Sequence, residues 1–479
     1  MTIQPSDGLL AVVKRACPTC ELVVPVLEQL SRDAELVVYS QDDASFPVGL
    51  GARDDTALDV SFALDIDTVP TLLRVEDGTV VDRTEGWERG RWEKLTGVAG
   101  LGVDLPDWRP GCGSRTNDPD VLDARLIART LPSLQSRTVE LGTAEDEIEA
   151  MYARGWSDGL PLVPPTPERV ARMCAGTTRA PSDVVAVIPP DLVECTVEKV
   201  AINAVMAGCR PEYLPVVIAA VEAACTDEFN MHGLLATTWF AGPLVVVNGP
   251  ITRAIGMNSG VNALGQGNRA NATIGRALQL VVRNVGGGRP GEVDRATLGN
   301  PGKYTFCFAE DEAGSPWESL AVERGVSPGT NAVTLFAAEG VRGMVDQLSR
   351  EPESLSRSFA ACLRTVAHPK NIFVWDAMIV ISPEHARVFR EAGWTKAQFR
   401  AELDELLQLP AEELARGAGG IAEGMPEALC APGTRLPKFR DGGLLIAHAG
   451  GGAGLFSAII GGWASGAIGS APVTREVHQ

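Results

Sequence analysis

The chain has 479 residues, 45% apolar and 22% charged, a globular composition long enough for roughly two to four domains. Its 42 basic and 61 acidic residues give a formal charge of −19, which argues against a protein that tracks nucleic-acid phosphates or docks on anionic lipid. The first residues show no basic segment followed by an apolar core and a cleavage site, and the longest apolar stretches are broken by charge before they could span a bilayer. Ten cysteines scattered over this length read as free thiols of a reducing compartment, so a cytoplasmic location is expected.

Residues 8–13 read as a strand, and Cys17-Pro18-Thr19-Cys20 follows directly. A helix comes next, with Leu22, Val23, Val26, Leu27 and Leu30 on its apolar side and Pro25 inside it, where a kink is expected. Residues 34–40 read as a second strand, 65–81 as two strands turning at Glu76–Gly78, and 89–98 as a helix. At a helix N-terminus the free amides and the dipole favour a thiolate, so Cys17 is the expected nucleophile.

This segment resembles the thioredoxin family. The likeness rests on Cys17-Pro18-Thr19-Cys20 between strand and helix, on Pro25 five residues after the second cysteine, and on Val69-Pro70-Thr71 ahead of a strand. It covers about residues 5–105, which are taken as a thioredoxin-like domain. The resemblance implies that Pro70 lies in a cis-proline loop facing the dithiol. It also implies that Cys17 attacks a disulfide and Cys20 resolves the mixed disulfide. Two departures are plain: Ala16 stands where the family usually has Trp, and no counterpart of the family's buried acid is evident. A thioredoxin-like fold kept only as an interaction module is the bland alternative. A zinc site is disfavoured because no second Cys or His pair lies nearby.

Residues 106–140 read as a linker or arm, rich in Pro, Gly and Asp at its start. It carries Cys112 between two glycines, either an incidental turn cysteine or one within reach of another thiol. From 141 to 479 strands and helices alternate, which predicts an α/β domain with a mainly parallel or mixed sheet, no strong internal repeat, and two lobes dividing near 320.

Four features of this larger domain carry candidate chemistry. Cys209 precedes Arg210-Pro211 at an expected helix start, next to a guanidinium, which would lower its pKa. A long polar loop follows an inner strand and holds Asn248, Asn258, Ser259, Asn262, Gln266, Asn268, Arg269 and Asn271. It reads as a pocket for a small polar or anionic substrate, with Arg269 or Arg276 as counter-charge, or else as a solvated turn region. Residues 443–460 read as a strand, a glycine loop and an apolar helix, so that the amides of Gly450, Gly451, Gly452 and Gly454 would cradle an oxyanion. His448 ends that strand and is placed for proton transfer, with Ser457 as polar lining. The acidic run before His232 reads as a surface turn, so no metal site is expected.

Segments such as residues 158–170, 203–217 and 258–277 also resemble a bacterial family related to UGSC-type selenoproteins, over most of residues 106–479. Cys112-Gly113-Ser114-Arg115 would then replace the selenocysteine motif, with Arg115 in place of its last cysteine. That resemblance implies thiol or selenol chemistry. The leading expectation is a thiol-dependent enzyme, an oxidoreductase or cysteine-dependent lyase. Its tethered Cys17/Cys20 dithiol would exchange electrons with Cys112 or Cys209, which acts on a small polar substrate. A cellular thiol–disulfide reductase system is the expected partner, homo-oligomerisation is allowed for, and no cofactor beyond the dithiol is expected. The alternatives are a thiol-independent lyase or hydrolase using His448, and a non-enzymatic interaction protein.

Overall fold

The computed structural model describes residues 6–143, 145–417, 423–464 and 469–478. The chain divides into two compact units, Met1–Ala128 and Arg129–Gln479.

In the first unit the apolar strand β1 (Gly8–Val13) runs straight into α1 (Pro18–Asp33). β2 (Leu36–Ser40) pairs parallel with β1, and β3 (Arg53–Asp54) pairs parallel with β2. After α2 (Asp59–Ala63) and β4 (Thr68–Val69), β5 (Thr71–Glu76) lies antiparallel to β1 and forms a hairpin with β6 (Thr79–Glu85). The sheet order is β3-β2-β1-β5-β6. Val23, Val26, Leu27 and Leu30 of α1 are fully buried in this unit's apolar cluster. Each such side chain contributes about 1.5–3 kcal/mol of burial. β7 (Trp87–Glu88) leads into α3 (Arg89–Thr96) and places Trp87 and Trp92 edge to face, 5.2 Å apart, in the same core.

The expected boundary at 105 is corrected here. The arm folds back onto this unit, with β8 (Trp108–Arg109) antiparallel to β7 and β9 (Cys112–Gly113) antiparallel to β4. α4 (Pro119–Thr130) follows, its Arg125 guanidinium 3.5 Å from the centre of the Phe62 ring. A polar, glycine-rich segment reads as a linker by composition, but it docks through its backbone, which composition does not register.

The second unit opens with α5 (Glu147–Ala153), α6 (Pro167–Cys174) and the hairpin of β10 (Val184–Ile188) and β11 (Val193–Thr196). α7 (Val197–Ala207), α8 (Leu214–Ala224) and α9 (Met231–Ala236) precede β12 (Gly242–Asn248). Then come α10 (Ile251–Ala254), α11 (Arg269–Asn284), β13 (Cys307–Ala309), α12 (Leu320–Glu323), β14 (Ala332–Ala338) and β15 (Val341–Val345). The remainder is α13 (Pro352–Leu363), β16 (Trp375–Ile381), α14 (Pro383–Glu391), α15 (Lys396–Leu406), β17 (Gln408–Pro410), α16 (Ala411–Leu414), β18 (Arg435–Pro437), β19 (Leu444–His448), β20 (Phe456–Ala464) and β21 (Val473–Glu476).

Two mixed sheets result, in the orders β13-β12-β14-β21 and β15-β20-β16-β19. Their inner strands are apolar on both faces, as a doubly covered sheet requires. Val245 and Val247 of β12 pack with α7, α8 and α11, while Leu244 and Val246 meet Met378, Val380, Leu445 and Ala447 of the other sheet. Ala377, Ile379 and Ile381 of β16 turn the opposite way, toward Leu355, Phe359, Phe399 and Leu403 of α13 and α15. The layers are therefore helix, sheet, sheet, helix. The contacts divide the chain nowhere near 320.

The two sheets also repeat one another. β12 and β16 are each followed by a proline-led helix, by a parallel neighbour (β13 or β19) and by an antiparallel one (β14 or β20). The fourth strand of each set is exchanged: β15 pairs with β20, and β21 pairs with β14. The likeness is one of strand order and pairing, beside a sequence that shows no strong internal repeat. Exchange of the last strands and divergence of the side chains leave no linear period in the sequence.

Candidate functional site

Cys17 caps α1 with its own side chain, its Sγ accepting from the Cys20 amide at 3.3 Å. The Val69–Pro70 peptide is cis and closes the other side, with the Val69 carbonyl 3.5 Å from Cys17 Sγ. Cys112 arrives on β9, paired with Val69, and its Sγ stands 2.7 Å from Cys17 Sγ. That separation exceeds a disulfide bond of about 2.05 Å but falls inside van der Waals contact.

The arm is held on both sides of this sulfur pair. Lys14 Nζ donates to Gly113 O at 2.6 Å, and Thr19 Oγ1 donates to Pro110 O at 2.7 Å. Ser114 N donates to Asp67 O at 2.9 Å, and Gln41 Nε2 donates to Ser114 Oγ at 2.6 Å. Arg115 donates to Gln41 O at 2.7 Å. Gly111 lets the backbones approach: a Cβ there would lie 2.3 Å from Thr68 Cγ2 and 2.9 Å from Val69 O.

The three thiols differ in acidity. The hydrogen bond from the Cys20 thiol, aided by the Cys112 thiol and the amides of Cys20 and Thr19, outweighs burial and brings Cys17 down to about 5. Burial, then the hydrogen bond to Cys17, pushes Cys20 far above the ordinary thiol range. Burial also raises Cys112, followed by its bond to Cys17, with Lys14 acting in the opposite direction. Cys17 is thus a thiolate at neutral pH, yet its residue is only 1% exposed, whereas Cys112 is half-buried beside the exposed Gly113. Lys14 and Gly111 belong to this site and were not singled out in the sequence, and Thr19 and Val69 entered there only as parts of the two motifs. The lysine close before the dithiol and the glycine before Cys112 were the signals available.

In the second unit, Cys209 does not have the environment expected of a reactive thiol. It is buried, its Sγ lies 3.4 Å from Thr273 O, and burial pushes it up to about 12. The expected helix begins as the 3₁₀ turn Pro211–Tyr213 and continues directly into α8, and Arg210 is exposed.

The polar loop uses its side chains on its own backbone. Asn258 Nδ2 donates to Val261 O, Asn262 Nδ2 to Gln266 O, and Asn268 Nδ2 to Gly256 O. Asn271 Nδ2 donates to Asn258 O and Ala263 O, and Arg269 Nε donates to Gly208 O. Arg276 holds Asp158 through two bonds of 2.8 Å. The head groups of Asn258, Asn262, Asn268, Asn271 and Arg269 are thus engaged by backbone carbonyls of the loop and its neighbours, and Arg276 by Asp158.

The oxyanion cradle is corrected as well. Residues 456–464 form strand β20, so no helix begins after the glycines. β19 and β20 flank β16 on opposite sides, and Gly450–Gly454 carry the chain across the end of β16. Gly450 N donates to Ser259 O and Gly454 N to Glu384 Oε2. Ser457 accepts from Ser382 N and bonds His385 Nδ1 at 2.8 Å.

His448 does close a polar cluster at these strand ends. In the two matching parallel pairs, Val247 faces Ala309 and Val380 faces Ala447, so Glu310 and His448 occupy equivalent places, one residue beyond those alanines. They meet: Glu310 Oε1 accepts from His448 N at 3.2 Å, and Oε2 accepts from Asn248 Nδ2 at 2.7 Å and Leu320 N at 2.8 Å. Burial raises the Glu310 carboxyl, opposed by Lys396 and these donors. His448 Nδ1 lies 3.0 Å from Asp311 O and 3.5 Å from Asp311 Oδ2, while its buried Nε2 has no protein partner. Burial lowers the imidazole pKa, so the ring is neutral with Nδ1 as donor and Nε2 as a free base. Among the described residues no group of three or more ligating side chains is placed to hold a metal ion, and no helix is long and apolar enough to cross a membrane. No protein-family model and no curated protein matches the chain.

Proposed function

We propose that the protein is a thiol–disulfide oxidoreductase in which Cys112 exchanges with a small polar disulfide and the Cys17/Cys20 dithiol, in a thioredoxin-like domain, recycles it. The observation that carries this reading is the 2.7 Å approach of Cys112 Sγ to a Cys17 sulfur ionised at neutral pH. The half-buried Cys112 thiol attacks a substrate R–S–S–R, its proton passing to the departing sulfur, so that Cys112–S–S–R forms and RSH is released. The Cys17 thiolate then attacks the Cys112 sulfur, forming the Cys17–Cys112 disulfide and releasing the second RS⁻. Cys20, losing its proton as it attacks, displaces the Cys112 thiolate and forms the Cys17–Cys20 disulfide. An external dithiol, as in a cellular reductase system, returns that pair to two thiols. One substrate disulfide has then gained two electrons. The selenoprotein-like motif Cys112-Gly113-Ser114 is in keeping with Cys112 as the exchanging atom.

The reading is tested by loading the protein with glutathione disulfide. Cys17→Ser is expected to retain the Cys112 adduct that the wild type discharges. Equal discharge by both proteins would defeat the proposal.

A second reading is favoured by the His448 geometry. A neutral imidazole held by Asp311, with Nε2 free, suits thiol-independent lyase or hydrolase chemistry in the second unit. Turnover lost in His448→Gln but kept in Cys17→Ala and Cys112→Ala would establish it.

A further inference from the structure

The second unit contains a cavity of about 800 Å³ that shares no lining residue with the strand-end cluster. One side is α7, presenting Lys199, Ile202, Asn203 and Met206; the facing wall is the extended segment 134–141, and Trp156 and Val170 add apolar surface. That wall is pinned by one buried carboxylate: Glu198 accepts from Gln135 N and Ser136 N, both at 2.9 Å. The volume is that of a small-molecule site, whose walls are mostly apolar with a few placed polar groups.

The charges around it are uneven. Glu198 is satisfied by the two amides, and Arg154 is paired with Glu145 at 2.9 Å. Arg137 and Lys199 line the cavity with no hydrogen bond or ion pair from their heads among the described residues, against the single unpaired carboxylate of Glu147 at the rim. The balance is cationic, in a chain whose net charge is −19.

A third observation concerns Asn284. Asn203 Nδ2 donates to Lys199 O, so Asn203 Oδ1 must receive Asn284 Nδ2, at 3.0 Å. That fixes the orientation of the Asn284 amide and leaves its buried Oδ1 without a partner on the cavity lining. A buried acceptor left unpaired costs about 1–3 kcal/mol, and a ligand donor would relieve that cost.

We infer that this cavity binds a small amphiphilic anion: an apolar body against Ile202, Met206 and Trp156 and a carboxylate at Lys199 and Arg137, with Asn284 Oδ1 open to a donor on ligands that carry one. The inference is independent of the thiol chemistry. The probes are decanoate and decanol, which share a chain but not a charge, measured by displacement of the fluorescent sulfonate 1-anilinonaphthalene-8-sulfonate from the full chain. Decanoate is expected to bind about tenfold more tightly than decanol, the usual scale for one partly desolvated charge contact. Lys199→Met combined with Arg137→Met should remove that difference and leave decanol unchanged. Ile202→Trp should abolish binding of both, with thermal unfolding serving as the check on folding. Equal affinity for the two probes, binding that survives Ile202→Trp in a folded variant, or no displacement by decanoate would each overturn the inference.

Discussion

Replacing Gly111 by valine tests whether the arm guards Cys17. The first atom of the new side chain would sit 2.3 Å from Thr68 Cγ2, 2.9 Å from Val69 O and 3.3 Å from Gly86 Cα. Two of these three neighbours are backbone and cannot swing aside, so the arm must move away by about 0.5 Å for the Cβ alone and further for the two valine methyls. Such a shift breaks the short β4–β9 pairing and strains the bonds from Lys14 and Thr19. At about 1 kcal/mol net for each hydrogen bond, losing two makes opening easier by about 2 kcal/mol, or about 30-fold. The assay is alkylation of Cys17 by iodoacetamide at pH 6, above its pKa of about 5, followed by peptide mass spectrometry. Wild-type protein should react slowly because Cys17 is covered, and Gly111→Val should react about 30-fold faster. Gly113→Ala is the control, since a Cβ there meets nothing within 4 Å, and it should behave as wild type. Equal rates for Gly111→Val and wild type would refute the reasoning.

Cys20→Ala removes the largest influence that lowers Cys17, so thiolate absorbance should titrate well above pH 5, against about 5 in the wild type. Because the folded Cys17 pKa lies below the unfolded value of 9.0, its contribution to stability is full above pH 9 and is lost as the pH falls toward 5. The gap in unfolding temperature between reduced wild type and Cys17→Ala should therefore narrow across that window, and a gap independent of pH would contradict it. Cys209→Ala should leave thiol exchange unchanged, since burial holds that sulfur protonated, its pKa pushed up to about 12; loss of exchange in a folded variant would restore Cys209 to the mechanism. Asp158→Ala strands the Arg276 guanidinium, 13% exposed in the native pair, and should cost about 3–5 kcal/mol in chemical denaturation.

The local signals were the readable ones. Cys17 at a helix cap depends on neighbours within a few residues, whereas the cis Val69–Pro70 peptide was expected from the family resemblance. The docking of Cys112 depends on backbone pairing between residues about forty apart. No side-chain pattern encodes that, except the glycine at 111. The asparagines of the polar loop illustrate the opposite problem. Their number suggested a ligand, but a long loop must satisfy its own buried carbonyls, and Asn side chains do this with least bulk. The stretch 456–464 was ambiguous because a short apolar run fits either helix or strand until its partners are known. β16 and β15 settle it by pairing on either side. His448 was placed at its strand end from sequence, but its partner Glu310 was not, because the match between β13 and β19 appears only in the sheet registers.

The most direct test is to trap the central intermediate. Cys20→Ser cannot resolve a disulfide on Cys17, so one equivalent of glutathione disulfide should leave it with a Cys17–Cys112 bond, identified by peptide mass mapping. The account predicts that this bond dominates. Stable glutathione adducts on separate cysteines, with no Cys17–Cys112 peptide, would contradict it.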